Sequence, residues 1–192
     1  MELILASASP RRAELIKLLD RKFTIVPATG EEVLQEDIGP EFAPVFLAAG
    51  KALEVSEKLP DCLIIAADTV VIHDGEILGK PKDENDARRM LRSLSGNTHK
   101  VITGCCLRYG KKEYAFREET RVTFFDLKDE EIESYIQSGE PMDKAGAYGI
   151  QGKGALFVSS IEGDWANVVG LPIARLKREL DAFEEEIREE EK

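Results

Sequence analysis

The sequence predicts a mixed-sheet α/β protein, and three features carry that expectation. Strand and helix patterns alternate over the first sixty residues in the order βαβα, as in parallel strands joined through helices. Asp74-Gly75 and Gly110 each separate two strand-like runs, the position of a hairpin turn and so of antiparallel pairing. At 192 residues with 43% hydrophobic content, the chain can bury a core as one domain over 1–192. It can equally form two closely joined lobes flanking a cleft, the second built on the hairpin region around residues 95 to 150.

Leu3 to Ala6 read as a buried strand. Pro10 to Leu19 follow as a helix, with Ser9 as N-cap, Pro10 in the first helical position, and Leu15, Ile16, Leu18 and Leu19 at helical spacing. Phe23 to Val26 form a second strand, and Phe42 to Leu59 a longer helix carrying Lys51. Cys62 to Ala67 are an apolar run that ends at Asp68; Thr69 to Ile72 continue it to the Asp74-Gly75 turn, and Glu76 to Leu78 return as a hairpin. A helix from Asp83 to Leu94 closes at Ser95-Gly96. Lys100 to Tyr109 and Glu113 to Phe125 are long strands joined across Gly110, and Glu130 to Gln137 form one more helix. Glu140 to Gly154, EPMDKAGAYGIQGKG, has four glycines and no clean periodicity, which suits a shaped functional loop lining a cleft. Ala155 to Ile161 read as a strand, and VVGLP leads into a terminal helix with Pro172 near its first turn. The acidic run AFEEEIREEEK, over about 181–192, reads as a solvated, fraying helix end.

Composition excludes several classes. A net charge of -11 argues against sequence-independent binding of nucleic acid, which needs a broad basic surface. An anion must therefore be met locally or through a metal. Cys62, Cys105 and Cys106 are odd in number and lack C-x-x-C spacing, so they read as reduced thiols of a cytoplasmic protein. With only His73 and His99, a His-rich zinc site is not expected. MELILA is cut short by Ser7 and Pro10, leaving neither a signal core nor a membrane span.

SPRR poses the first chemical question. Arg11 and Arg12 stand where a helix begins, and a cation in the first turn is unfavourable by roughly 0.3 to 1 kcal/mol, so something negative is expected there. Ser7 and Ser9 hydroxyls, two guanidinium forks and the helix-start N–H groups together suit a polyphosphate. The same residues also fit a plain cap, with the arginines pairing surface carboxylates such as Glu14. Asp68 follows LIIAA directly, and an acid among apolar residues needs a cation or a task; backbone amides and Thr69 could also hold it. Glu31 and Glu32 are a second acidic candidate or a solvated turn. Lys80 in LGKPKD could reach a phosphate or face solvent. Gln151 offers the paired donor and acceptor that read a base edge, or it satisfies backbone. Trp165, the sole tryptophan, could stack or pack. No Cys/His pair or Ser-His-Asp set suggests itself, and the inventory suits metal-assisted phosphoryl chemistry.

SASPRR, AADTVV, LGKP, LSGNTHKV, DKAGAYGIQGKGALFV and NVVGLP, in this order from about residue 3 to 176, resemble the Maf (septum formation inhibitor) family of nucleotide pyrophosphatases. The resemblance implies an α/β fold with a central cleft shared with the inosine-triphosphate pyrophosphatase group, a homodimer, and metal-dependent (Mg²⁺ or Mn²⁺) cleavage of nucleoside triphosphates to monophosphate and pyrophosphate. DKAGAYGIQG resembles the branch acting on dTTP and UTP rather than the one acting on 7-methyl-GTP. Carried over by position, Asp68 is the proton acceptor, Arg11, Thr69 and Gln151 set substrate choice, and Ser7, Arg12, Glu32, Lys51 and Lys80 complete the site, with Glu32 or Asp68 holding the metal. Ala8 and Trp165 depart from residues common in the family. Two rivals share the phosphate cradle: a nucleotide-sensing regulatory protein linked to cell division, which needs no water-activating group, and a phosphatase releasing orthophosphate.

Overall fold

The computed structural model describes residues 1–30, 33–34 and 37–190. Its elements are β1 (Leu3–Leu5), α1 (Pro10–Ile16), β2 (Thr24–Ile25), α2 (Ala43–Lys58), β3 (Leu63–His73), β4 (Glu76–Leu78), α3 (Glu84–Leu94), β5 (Thr98–Tyr109), β6 (Lys112–Phe124), α4 (Asp129–Gln137), β7 (Val158–Glu162), α5 (Trp165–Val169) and α6 (Ile173–Glu190). The strands form one mixed sheet in the order β2-β1-β3-β5-β6-β7, with β4 pairing β3 off that path. β1 is parallel to β2 and β3, whereas β3–β4 and β6–β7 are antiparallel. The expected mixed-sheet α/β class is therefore the observed one. The chain divides into two compact units, one of 1–68, 103–118 and 170–192, the other of 69–102 and 119–169.

In the first unit, alternate residues Ile4 and Ala6 of the first strand and its exit, with Ile64 and Ala66 of β3, present one face to Ala48, Ala52 and Val55 of α2. Period two on the strands and steps of four and three on the helix bring these side chains together. The approach is close because Gly104 has no side chain: a Cβ there would lie 2.3 Å from the Pro44 carbonyl carbon. Leu176, Leu180, Phe183 and Ile187 of α6 are buried.

In the second unit, Val70, Ile72 and Ile102 form a small cluster with Ile77. Asp83 caps α3 through the Asp86 N–H, and Arg88 forks onto Glu133 through Nε and Nη2, tying α3 to α4. An aromatic knot follows: Phe124 meets Tyr148, His99 and Phe157 edge-on, and Tyr135 meets Phe157.

Several sequence expectations are corrected. Leu18 is 71% exposed because α1 stops at Ile16 and tightens into a 3₁₀ turn over Lys17–Leu19, where each residue advances the side chain by about 120° rather than 100°. The second strand shrinks to two exposed residues. The apolar run on either side of Asp68 is, as expected, continuous: both halves belong to the eleven-residue β3. The segment 140–154, expected as a shaped loop, carries short 3₁₀ turns at Glu140–Asp143 and Ala145–Ala147, and a third, Lys153–Phe157, begins at its end. The last of these delays β7 to Val158. Trp165–Val169 form a helix that the sequence did not suggest. The acidic end is helical to Glu190, and Phe183, Glu184 and Ile187 are buried rather than solvated, Glu184 receiving the Arg21 guanidinium at 2.8 Å.

Candidate active site

β1 is flanked by β2 on one side and β3 on the other, so the chain leaves its carboxyl end in one direction and returns on the opposite side. In parallel α/β sheets this reversal of strand order is where ligands bind, beyond the carboxyl ends of the two strands. Leu5 pairs with Ile65, and the Ala6 N–H donates to the Ile65 carbonyl at 2.8 Å. Ser7 and Asp68 therefore lie two and three residues beyond that shared register.

The arginines of SPRR are oriented by hydrogen bonds. Ser9 caps α1, its hydroxyl accepting from the Arg12 N–H at 3.4 Å. Arg12 Nε donates to the Gly170 carbonyl at 2.8 Å and Nη1 to the buried Ser7 hydroxyl at 3.2 Å. Gly170 presents that carbonyl from φ +126°, a conformation that favours glycine. Glu14, the suggested surface partner, pairs instead with Lys17 at 2.6 Å. Arg11 is half-buried. Two nitrogens of the Arg12 guanidinium are thus held by the protein itself, which fixes the orientation of the fork.

Asp68 Oδ1 accepts from Lys51 Nζ at 2.5 Å, with side chains only 14% and 17% exposed. Lys51 reaches it from α2, the helix packed over the same strands. The suggested backbone-and-Thr69 support for Asp68 is thereby replaced by an ammonium. This close pair fixes the direction of the carboxylate, and removing one partner of such a pair costs on the order of 3 kcal/mol. Glu32 and Glu31 lie outside the described residues.

The second unit carries the other candidates. Thr69 is half-buried in β3. Lys80 is exposed and makes no ion pair among the described residues. Its neighbour Gly79 accepts from the Gly146 N–H at 3.1 Å, joining the LGKP segment to the glycine-rich one. Gly146 sits at φ +68°, where a Cβ would meet Val71 at 3.0 Å. Gln151 is exposed, and its amide finds no hydrogen-bond partner among the described residues, so it does not satisfy backbone. Trp165 opens α5 with 45% of its surface exposed.

Two features escaped the sequence. The Gly170 carbonyl that holds Arg12 lies 158 positions away, and no local signal marks it. The His99–Tyr148 hydrogen bond, 2.8 Å, joins two of the recognised motifs, and no local signal in either marks it.

The three cysteines are free. Burial pushes the Cys105 thiol up to about 12, and also raises those of Cys106 and Cys62, so none is a ready thiolate nucleophile. Among the described residues no helix is long and apolar enough to cross a membrane.

A family model described as Maf-like protein matches residues 2–183. A dTTP/UTP pyrophosphatase of Carboxydothermus hydrogenoformans is 53% identical over 182 residues, 94% of this chain and 97% of the relative. A dTTP/UTP pyrophosphatase of a Geobacillus species is 51% identical over 179 residues, 93% and 96% of the two chains. Among solved structures, a HAM1 protein from Coxiella burnetii superposes with a TM-score of 0.51 at 13% identity, covering 95% of this chain and 99% of that one. This last likeness is one of fold.

Proposed function

Because the chain belongs to the Maf-like protein family, we propose that it hydrolyses dTTP and UTP to the nucleoside monophosphate and pyrophosphate. The near-full-length relatives at about half identity support the substrate and reaction. The Lys51–Asp68 pair beyond the β1/β3 register is the observation that carries the mechanism.

In this reading Asp68 orients a water and takes its proton as the oxygen attacks the α-phosphorus. The bond from that phosphorus to the bridging oxygen breaks, and pyrophosphate leaves with the electron pair. Lys51 keeps the Asp68 carboxylate directed at the water. Arg11, Arg12 and Lys80 meet the charge that builds on the leaving pyrophosphate, Ser7 holds the Arg12 fork, and Thr69 and Gln151 read the nucleoside.

A divalent cation, Mg²⁺ or Mn²⁺, belongs to this reading. Among the described residues no group of three His, Cys, Asp or Glu side chains is placed to hold a metal. A hard cation that arrives with a triphosphate needs only one or two carboxylates besides phosphate oxygens and water. Asp68 fits that donor role, and Glu32 is the second carboxylate in the reading. When bound, the cation supplies neutralisation of the triphosphate charge against an acidic protein. A cytoplasmic homodimer completes the proposal.

The test is to incubate the protein with each canonical ribo- and deoxyribonucleoside triphosphate and 7-methyl-GTP, with Mg²⁺ or Mn²⁺, assaying pyrophosphate and orthophosphate separately. Pyrophosphate from dTTP and UTP alone is the expected result. Orthophosphate as the first product, or binding without turnover, overturns it.

A further inference from the structure

Gln151 has no side-chain partner among the described residues, yet the turn that carries it is held on both flanks by one carboxylate and one phenol. Glu140 accepts through Oε1 from the Tyr135 hydroxyl at 3.0 Å and from the Gly154 N–H at 3.4 Å, and through Oε2 from the Lys153 N–H at 3.1 Å. The Tyr135 oxygen in turn accepts from the Gly149 N–H at 3.1 Å, and the Gly152 N–H donates to the Gly149 carbonyl at 3.3 Å. Residues on either side of Gln151 are thus pinned to the end of α4, through Tyr135, and to the 3₁₀ turn that follows it, through Glu140.

The fit leaves no spare room. A Cβ on Gly152 would lie 2.2 Å from Glu140 Oε1, and one on Gly154 2.9 Å from the Tyr135 oxygen. Tyr135 is itself buried, its ring edge-on to Phe157 at 4.9 Å. On the upstream side Tyr148 is anchored to His99. Charge-assisted bonds from a half-buried carboxylate are roughly twice as strong as neutral ones, so this is a rigid mount.

Rigidity matters for the chemistry of Gln151. A carboxamide carries a donor and an acceptor and can turn over to match cytosine as readily as uracil or thymine. Selectivity therefore depends on how narrowly its backbone is presented. We propose that Glu140 and Tyr135 are positioning residues for base recognition, holding the Gly149–Gly154 turn so that Gln151 discriminates uracil and thymine from cytosine. This rests on the reading of Gln151 as the residue that meets the base.

The experiment compares kcat and KM for UTP and CTP in the wild type, Gln151→Ala, Glu140→Ala, Tyr135→Phe and the Glu140→Ala/Gln151→Ala double variant. Tyr135→Phe keeps the packed ring and removes only the hydroxyl, so it guards against loss of folding. Both single clamp variants are expected to lower the UTP:CTP ratio of kcat/KM by about tenfold, chiefly through KM for UTP. Adding Glu140→Ala to Gln151→Ala is expected to lower the ratio no further, and hydrogen exchange at the Lys153 and Gly154 amides is expected to speed up in Glu140→Ala. An unchanged ratio in both clamp variants, equal losses on all nucleotides, or multiplied losses in the double variant overturns the proposal. An unchanged ratio in Gln151→Ala overturns the underlying reading of Gln151 and removes this inference with it.

Discussion

Replacing Asp68 by Asn keeps the shape of the side chain while removing both its capacity to take a proton and the charge that meets Lys51 at 2.5 Å. The variant is expected to lose a hundredfold or more in kcat with a smaller change in KM, measured by steady-state release of pyrophosphate from dTTP. Unchanged turnover would remove Asp68 from the mechanism. The thiols give a second check at this scale. Cys105 and Cys106 are fully buried with raised thiol pKa values, whereas Cys62 is only half-buried. A thiol reagent at pH 8 is expected to titrate one cysteine slowly in the native protein and all three after unfolding. Three fast native thiols would contradict the packing of β5.

Between elements, the contact of α2 with β5 depends on one missing side chain. A Cβ at Gly104 would stand 2.3 Å from backbone atoms of Pro44 and Val45, which a rotamer change cannot relieve. Gly104→Ala is expected to cost about 2–3 kcal/mol, seen as a thermal midpoint lower by about 4–10 °C in calorimetry. A midpoint within a degree of wild type would show that α2 shifts freely. How much was legible before the structure also differs by element. β3, α2, α3 and the two long strands were readable because each pairs a clear period with a marked stop such as Asp74-Gly75 or Gly110. Leu18 and the start of β7 were not, since the turn from α-helical to 3₁₀ winding leaves no trace in hydropathy. The acidic end of α6 misled because the six glutamates of AFEEEIREEEK outweigh Phe183 and Ile187 in composition, although spacing, not composition, decides which face is buried. Ser7, Arg12 and Asp68 could be nominated from local sequence. Their partners Gly170 and Lys51 could not be placed, being set by tertiary distance.

For the molecule as a whole, acid sensitivity separates into two windows. His99 is buried and hydrogen-bonded to Tyr148, and desolvation, helped by the nearby charge of His73, lowers its pKa from 6.5 to about 3. The unfolded chain therefore takes up a proton that the folded chain refuses. Stability is undiminished above pH 6.5 and falls as pH drops from 6.5 toward 3, by about 1.4 kcal/mol per unit. Glu54, lowered to about 2 by the Lys58 ammonium first and then by the Thr29 and Gly30 N–H groups, loses its contribution only below pH 4.5. Urea unfolding between pH 6.5 and 4.5 is expected to show the His99 slope, and His99→Phe is expected to flatten it. An identical slope in that variant would assign the acid sensitivity elsewhere.

The first compact unit is stitched from three separated segments, the last being residues 170–192, and Arg12 finds its anchoring carbonyl only at Gly170. The strand, helix and arginines of its first segment precede by more than a hundred residues the segment that closes the unit. Closing this unit therefore depends on contacts between segments far apart in sequence, the kind of topology that slows folding. A polypeptide that stops short of Gly170 therefore lacks the carbonyl that orients the Arg12 guanidinium.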